Sequence, residues 1–184
     1  MMTHYINIKL FPNKEIRENV LLNQVYTAFH KRLYEMKLDT IGVSFPEYHL
    51  KLGKLFRIHG SKGDLQTLQA KEWLGKYSTY CRVSDIQNIP NEVQYRIISR
   101  IQQNMTQAKL RRLIKRGSIS EEEVKAYKIK MLQGGLDNPY VELVSMSNGQ
   151  LHRRFLNFSE LQSVENRGKF DFFGLSKEAT IPWF

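Results

Sequence analysis

The chain has 184 residues, of which 41% are hydrophobic, and a formal net charge of +10. This composition is sufficient for a core in one domain or two small ones, and the charge favours a polyanionic partner, whether RNA, DNA or an acidic membrane. The single cysteine, Cys81, excludes an internal disulfide and a multi-cysteine zinc site. No apolar run approaches the roughly 20 residues that span a bilayer, and no signal-peptide pattern is present, so we expect a soluble, cytoplasmic protein without a membrane partner.

The first half of the chain alternates strand patterns with helix patterns. Residues 4–10 alternate polar and apolar side chains, as a half-buried strand does, and the apolar positions of 15–36 form a helical stripe. The predicted elements are strand 4–10, helix 15–36, strands 41–45 and 55–59, a helix capped by Ser61 that carries Leu65, Leu68, Trp73 and Leu74, and strand 79–83. Their order, β-α-β-β-α-β, predicts a ferredoxin-like domain over residues 1–88.

The second half begins after a polar segment, residues 85–91, which is the predicted linker to a domain over residues 89–184. Residues 93–102 alternate with the period of a strand, which would present Arg96 and Arg100 on one face. The later predicted elements are a helix from Thr106 to Gly117, a helix with the capping-box pair Ser120 and Glu123, and a hairpin of strands 140–147 and 150–158 around the turn Asn148-Gly149. The expected fold class is α+β, with a divergent C-terminal α+β domain.

The segment from Arg96 to Arg116 is strongly basic and contains no acidic residue. On the predicted helix, Lys109, Arg112 and Arg116 are spaced so that they share a face. A run of one charge sign gains nothing from internal ion pairs, so we interpret this face as a nucleic-acid contact rather than a merely solvated surface. A helix rim of arginines can contact the phosphates that flank the deep major groove of A-form RNA.

Among the five histidines, His30 is the candidate general base, because imidazole titrates near neutral pH and can take a proton from a ribose hydroxyl. It stands beside Phe29 and one turn from Tyr26 and Tyr34, so a satisfied histidine at the core boundary is the alternative interpretation. The spacing of the five histidines provides no metal-binding pair, and we expect neither a metal ion nor another cofactor. The rival histidines are His4, His49, His59 and His152.

Ser145 and Ser147 lie on one face of the strand before the predicted Asn-Gly turn. A hydroxyl there can orient a nucleophile, or it can simply be solvated at the edge of a turn. The sequence contains no GxSxG elbow, Walker loop or DxD-like acidic cluster. It therefore gives no sign of esterase, nucleotide-hydrolysing or two-metal nuclease chemistry.

Short segments along the whole chain carry a family resemblance. The segments are HYINIKL at 4–10, the helix that ends at His30, IGVSFP at 41–46, FRIHG at 56–60, SRIQ at 99–102, LRRLIKR at 110–116, SEEE at 120–123, NGQ at 148–150, GLSK at 174–177 and PWF at 182–184. In this order and at this spacing, they resemble the subtype I-F CRISPR repeat-processing endoribonucleases.

The resemblance implies an N-terminal ferredoxin-like domain and a C-terminal domain whose arginine-rich helix enters the major groove of the repeat's stem-loop. The RNA would be cut at the foot of the stem. The family's catalytic histidine matches His30, which would take the proton from a 2′-hydroxyl, and a family serine matches Ser145, which would hold the ribose. Attack on the adjacent phosphate would give a 2′,3′-cyclic phosphate without a metal, because the nucleophile belongs to the substrate.

The resemblance also implies which residues contact the RNA. Arg100 and Gln102 match residues that read base edges beside the stem, and Ser147 matches a serine near the scissile nucleotide. Arg112 and Arg116 match the groove arginines, although a helix one residue shorter than the family's leaves the neighbouring basic residues as alternatives. With the basic helix included, the predicted RNA-binding residues are Arg100, Gln102, Lys109, Arg111, Arg112, Lys115, Arg116, Ser147 and His152.

Two departures from the family pattern affect the expected site. His152 stands where the family has an aromatic platform under the closing base pair, and its imidazole stacks less strongly than a larger ring. Phe173, Glu178 and Ala179 stand at tyrosine and glycine positions of the C-terminal loop. Phe173 can still support the active site but has no hydroxyl to fix His30, so either the site would depend more on Ser145 or the cleavage rate would differ.

The implied partners are the repeat hairpin, as precursor and as mature guide RNA, and the protein subunits of the subtype I-F surveillance complex. The alternative function is a non-catalytic module that binds an RNA hairpin, for which the basic helix is equally necessary but His30 is not. A DNA-binding regulator is disfavoured, because it would need a helix-turn-helix and the second half mixes strands with helices.

Overall fold

The computed structural model describes residues 2–101, 107–133, 138–144 and 149–184. The chain divides into two compact units, one formed by Met1–Arg100 with Asn138–Phe184 and the other by Ile101–Asp137. This division does not test the predicted boundary after residue 88, which stays a prediction.

The strands are β1 His4–Leu10, β2 Gly42–Ser44, β3 Leu55–Gly60, β4 Cys81–Val83, β5 Gln87–Asn88, β6 Gln94–Arg96, β7 Ile98–Ile101, β8 Tyr140–Val144, β9 Leu151–Phe158 and β10 Ile181–Trp183. The helices are α1 Glu18–Met36, α2 Lys62–Gln69, α3 Gln107–Lys115 and α4 Glu121–Gln133, with a short 3-10 helix at Gly75–Tyr80.

The main sheet of the first unit has the strand order β2-β3-β1-β4, with β5 paired to the start of β1, and its paired neighbours are antiparallel. The alternation predicted for β1 is confirmed, since Ile6, Ile8 and Leu10 are buried. Helix α1 buries a stripe in the same core, because apolar residues four apart lie on one side of a helix. The buried residues of α1 are Leu21, Leu22, Val25, Tyr26, Phe29 and Leu33.

A second, three-stranded sheet has the order β7-β9-β8. The predicted hairpin is confirmed in its strands, with Val141 opposite Arg154 and Leu143 opposite His152. Opposed residues project from the same face of a sheet. The hairpin is tied to α1, because the main-chain N–H of Glu142 in β8 donates to the Asn23 side-chain oxygen at 3.0 Å. The α+β class is thus confirmed, with antiparallel sheets.

The single strand predicted over residues 93–102 is wrong in the described part of that segment. The chain changes partner at Ile97, whose N–H donates to the Ser159 hydroxyl at 2.9 Å. As a result, β6 pairs with β10 and β7 pairs with β9. Arg96 does not share an exposed face with Arg100, because it is buried with its guanidinium carbon 4.4 Å from the Trp183 ring centre.

Three smaller predictions also change in the first unit. The predicted linker contains β5, which pairs with β1. Helix α2 ends at Gln69, so Trp73 and Leu74 are buried in the following turns rather than on the helix. The predicted strand 79–83 begins only at Cys81, because a 3-10 helix precedes it. The Ser61 cap is confirmed, since its hydroxyl accepts from the Asp64 N–H at 3.1 Å.

The second unit is a helix pair in its described residues. Helix α3 buries Leu110 and packs against α4. It is followed by Gly117 at a φ of 63°, a left-handed conformation that glycine adopts without strain. The capping box of α4 is confirmed, because the Ser120 N–H donates to the Glu123 carboxylate at 2.8 Å and the Glu123 N–H donates to the Ser120 hydroxyl at 3.2 Å. No helix in the described part of the chain is both long and apolar enough to cross a membrane.

Candidate active site

A pocket of about 520 Å³ opens in the first unit beside α1, the end of β7 and the β8–β9 hairpin. Its wall combines aromatic rings with basic groups, and none of its lining residues carries a carboxylate. Such a wall attracts an anionic ligand and offers faces on which rings can stack. The side chains that matter for the chemistry below are His30, Arg100, His152, Arg153, Arg154 and Phe173.

His30 lies in the last third of α1, and its ring is held by the main chain of a distant segment. The His30 Nδ1 atom is 2.8 Å from the Phe172 carbonyl oxygen. Because a carbonyl oxygen only accepts, Nδ1 carries the proton in this contact, and the lone pair of the neutral ring lies on Nε2. The bond therefore fixes both the orientation of the ring and the atom that can act as a base.

The ring of Phe173 lies face to face with His30, with the two ring centres 3.5 Å apart and the planes inclined by 10°. The guanidinium carbon of Arg154 is 3.4 Å from the centre of the same Phe173 ring. Two groups at these distances cannot share one face, so Phe173 is sandwiched between an imidazole and a guanidinium. We call this arrangement the His30–Phe173–Arg154 stack.

The turn that carries Phe173 is fixed on both sides of the ring. The Tyr26 hydroxyl donates to the Phe173 carbonyl oxygen at 2.7 Å. One carboxylate oxygen of Asp171 accepts the Phe173 N–H at 2.8 Å and the Leu175 N–H at 3.0 Å. Gly174 has a φ of 71°, and a Cβ atom there would lie 2.8 Å from a Val43 methyl carbon, so glycine is required by both conformation and space.

Burial is the main cause that lowers the pKa of His30 from the ordinary imidazole value. The hydrogen bond to the Phe172 carbonyl and the charge of Asp171 act in the opposite direction, while the positive charge of Arg154 lowers the pKa further. Burial and the nearby Arg100 also lower the pKa of Arg154. An arginine nevertheless keeps its charge at neutral pH, so the pocket combines a neutral base with a fixed cation.

The structure brings only some of the predicted site residues together. Arg100 and His152 line the same pocket as His30 and Phe173. The remaining pocket candidates, Gln102, Ser145 and Ser147, lie outside the described residues. On the second unit, the predicted RNA-binding side chains on and just after α3 are exposed; they are Lys109, Arg111, Arg112, Lys115 and Arg116.

The rival histidines have other surroundings. His59 is fully buried with its Nε2 atom 2.8 Å from the Ser44 hydroxyl, and burial lowers its pKa to about 3. His4 contacts the Thr3 hydroxyl at 2.8 Å. His49 is exposed in the loop between β2 and β3. None of these three lines the pocket that holds His30.

Sequence reasoning missed Arg154 and the Phe172 carbonyl. Arg154 could have been found, because residues two apart on a strand share a face and His152 had already been assigned to the RNA side of β9. The Phe172 carbonyl left no signal, since a main-chain acceptor is available at almost every residue. Among the described residues, no group of three or more His, Cys, Asp or Glu side chains is arranged to hold a metal ion.

The family model described as "CRISPR-associated protein (Cas_Csy4)" matches residues 5–184. The chain belongs to this family. A relative named "CRISPR-associated endonuclease Cas6/Csy4" from Escherichia coli (strain UTI89 / UPEC) is 33% identical over 184 residues, covering 100% of both chains. A relative of the same name from Pseudomonas aeruginosa (strain UCBPP-PA14) is 36% identical over 187 residues, again covering 100% of both.

One solved structure with RNA bound shows much weaker similarity to this chain. A chain from "Structure of Thermus Thermophilus Cse3 bound to an RNA representing a pre-cleavage complex" has 12% identity and a TM-score of 0.38, covering 98% of this chain and 100% of that one. At this TM-score the similarity supports no inference about fold or function. The resemblance found in the sequence is confirmed by the Cas_Csy4 match, and the roles of individual residues stay predictions.

Proposed function

We propose that this Cas_Csy4 family member is an endoribonuclease that cuts CRISPR precursor RNA at the foot of the repeat stem-loop. The relatives that match over their full length are named CRISPR-associated endonucleases. The observation that carries the proposal is His30, an imidazole whose Nδ1 atom is fixed by the Phe172 carbonyl at 2.8 Å. Its Nε2 lone pair is thereby available as a base in a pocket lined by arginines.

In the proposed reaction, the 2′-hydroxyl of the nucleotide before the cut attacks its own 3′-phosphate. His30 takes the hydroxyl proton, the bond between O2′ and phosphorus forms, and the bond between phosphorus and O5′ breaks. The departing 5′ oxygen receives a proton, so the products are a 2′,3′-cyclic phosphate and a 5′-hydroxyl, and no water is consumed. A base and alignment suffice for this step, because the nucleophile is part of the substrate. Ser145 is the residue we expect to hold the ribose.

RNA recognition is proposed for two surfaces. Arg100 and His152 line the same pocket as His30, which suits a base reader and a stacking platform. The basic side chains of Lys109 and Arg112 on α3, and of Arg116 just after it, are exposed, and α3 has no acidic residue, as expected for contact with stem phosphates. Gln102 and Ser147 complete the proposed set from the sequence. We expect the enzyme to remain on the mature guide RNA within the subtype I-F surveillance complex.

The proposed domain architecture is a ferredoxin-like domain over residues 1–88 and an RNA-recognition domain over residues 89–184. The strand order β2-β3-β1-β4, with two helices as connections, supports the first part. The exposed basic side chains of α3 support the assignment of RNA recognition to the second part.

The test is cleavage of an end-labelled cognate repeat RNA in EDTA by the wild type and by His30→Ala, with hairpin binding measured in parallel. We expect the wild type to cut, and His30→Ala to bind the hairpin with unchanged affinity but to lose about 10²-fold or more in rate, as loss of a general base does. His49→Ala is the matched control, because it removes an exposed imidazole outside the pocket.

Two outcomes would overturn the proposal. A wild type that binds the hairpin and never cuts would identify a non-catalytic hairpin-binding module. A His30→Ala variant that cuts as fast as the wild type would assign the base to another group.

A further inference from the structure

Arg154 lies on β9 beside the pocket, against the ring of Phe173. It projects from β9 on the face of the buried residues Val141 and Leu143, and it is itself half-buried. Its guanidinium carbon lies 3.4 Å from the centre of the Phe173 ring, on the side opposite His30. Stacking on an aromatic ring leaves the N–H groups at the rim of the guanidinium free to donate in the plane.

The charge of Arg154 is not paired within the described part of the chain, where none of the ion pairs involves it. Its neighbour Arg153 differs, because it contacts the Glu142 carboxylate at 2.9 Å. Asp171 is near enough to influence Arg154, but one of its oxygens already accepts two main-chain N–H groups. A partly buried cation with no carboxylate in ion-pair contact is costly, so an anionic ligand in the pocket would be stabilised there.

His30 and Arg154 both line the pocket, on the two sides of one aromatic ring. A ribose 2′-hydroxyl and its 3′-phosphate are likewise adjacent groups of one nucleotide. His30, the base on one side of Phe173, therefore suits the 2′-hydroxyl. Arg154, the planar and charged donor on the other side, suits the phosphate that this hydroxyl attacks. Arg100, which lines the same pocket, adds positive charge on the Arg154 side.

We propose that Arg154 binds a non-bridging oxygen of the scissile phosphodiester and stabilises the charge that develops as O2′ attacks phosphorus. This inference rests on the proposed function and adds to it the residue that takes the phosphate. Arg154 stays protonated throughout, so the O2′ proton still goes to His30 and the bond to O5′ still breaks. Donors aimed at developing charge act more strongly in the transition state than in the bound substrate.

The first measurement is the single-turnover cleavage rate at saturating enzyme. We expect Arg154→Gln, which keeps a planar amide but removes the charge, to cut about 10²- to 10³-fold more slowly. Arg154→Lys, which keeps the charge but not the planar fork, should fall between the two. Arg82→Gln is the matched control, because Arg82 is an exposed arginine whose guanidinium carbon lies 5.5 Å from the Phe11 ring centre, outside the pocket. Its rate should equal that of the wild type.

The second measurement separates phosphate contact from support of the Phe173 ring. The substrates are two hairpins in which sulfur replaces one or the other non-bridging oxygen of the scissile phosphate. The two diastereomers are tested separately. The wild type should cut one diastereomer more slowly than the other, and Arg154→Gln should lose that preference, because the contact that senses the sulfur is gone. If Arg154→Gln does not melt cooperatively, Arg154→Lys takes its place, and its diastereomer preference should be smaller than that of the wild type.

The inference is overturned if Arg154→Gln cuts at the wild-type rate, or if it is slow but keeps the full diastereomer preference of the wild type. The second result would make Arg154 a support for the aromatic ring only. Failure of the proposed function looks different, since the wild type would then not cut the repeat RNA, or His30→Ala would cut as fast. Normal wild-type cutting that depends on His30, together with an unaffected Arg154→Gln, would remove only the present inference.

Discussion

In the His30–Phe173–Arg154 stack, each side chain alters the chemistry of the next. Phe173 covers one face of His30 and excludes water from it, and burial lowers the pKa of the imidazole. The positive charge of Arg154 on the far face of Phe173 lowers that pKa further. Tyr26 holds the main chain of Phe173 and thereby the whole stack. The phenylalanine therefore supports the base without the hydroxyl that a tyrosine would supply.

The pH dependence of cutting follows from the direction of this pKa shift. A general base must be neutral to accept a proton, so the rate should rise with pH through the pKa of His30 and then level off. Because that pKa is lowered, the midpoint should lie below the ordinary imidazole value of about 6.5. In Arg154→Gln the midpoint should move to higher pH, because a charge that opposes protonation of His30 is removed.

The measurement is kcat/KM of both proteins between acidic and neutral pH, taken at hairpin concentrations well below saturation, because kcat/KM reports the pKa of the free enzyme. A wild-type midpoint at or above the ordinary imidazole value, or a midpoint that does not move in Arg154→Gln, would contradict this account of His30.

The sequence indicated three side chains that the structure brings to one pocket, His30, His152 and Phe173, and their roles stay predictions. Histidine titrates near neutral pH, which indicated His30, and the strand pattern with the family resemblance indicated His152 and Phe173. Arg96 was misplaced, because alternation alone does not reveal that a chain changes strand partner at Ile97. The resulting burial of Arg96 under Trp183 depends on residues far along the sequence.

At the scale of elements, α3 concentrates positive charge on a short helix. Leu110 is buried, whereas Arg112 and Arg116 are exposed, so the charge stays available to a ligand. The glutamates that balance charge in this unit lie in the first turn of α4 instead, where negative charge is favourable to the helix dipole. Charge segregation of this kind suits a helix that contacts phosphates.

Arg112→Gln should weaken hairpin binding at every salt concentration and make it less sensitive to salt. If Arg112 neutralises one phosphate, the slope of log affinity against log salt should become smaller in magnitude by about 1. Lys125→Gln on α4 is the matched control and should leave the slope unchanged, because Lys125 is an exposed cation outside the proposed contact face. An Arg112→Gln slope equal to that of the wild type would remove Arg112 from the groove contact.

Strands and helix caps were predicted correctly where they depend only on residues close in the sequence. The bounds of β1 and the caps at Ser61 and Ser120 were predictable, because alternation and capping depend on neighbouring residues. The end of α2 at Gln69 was not predictable from the sequence. The apolar residues Trp73 and Leu74 continue the pattern of the helix, but they lie in the turns after it and are buried from there. Apolar spacing shows which side chains are buried but not which backbone carries them there.

At the scale of the whole molecule, the proposed function divides between the two compact units. The first unit holds the His30–Phe173–Arg154 stack and the pocket that it lines. The second holds α3 and its exposed cations. The Cas_Csy4 match extends over both units, from residue 5 to residue 184. The proposed RNA ligand would use both units, because cations such as those of the second unit neutralise its phosphates and its ribose supplies the hydroxyl that attacks in the first.

The most direct measurement compares two cognate hairpins in EDTA, one of them all-ribose and the other with a single 2′-deoxy nucleotide before the cut. We predict equal binding of both, cleavage of the all-ribose hairpin only, and a 2′,3′-cyclic phosphate on its product by mass spectrometry. Equal cutting of the deoxy hairpin, or a product without the cyclic phosphate, would contradict attack by the 2′-hydroxyl.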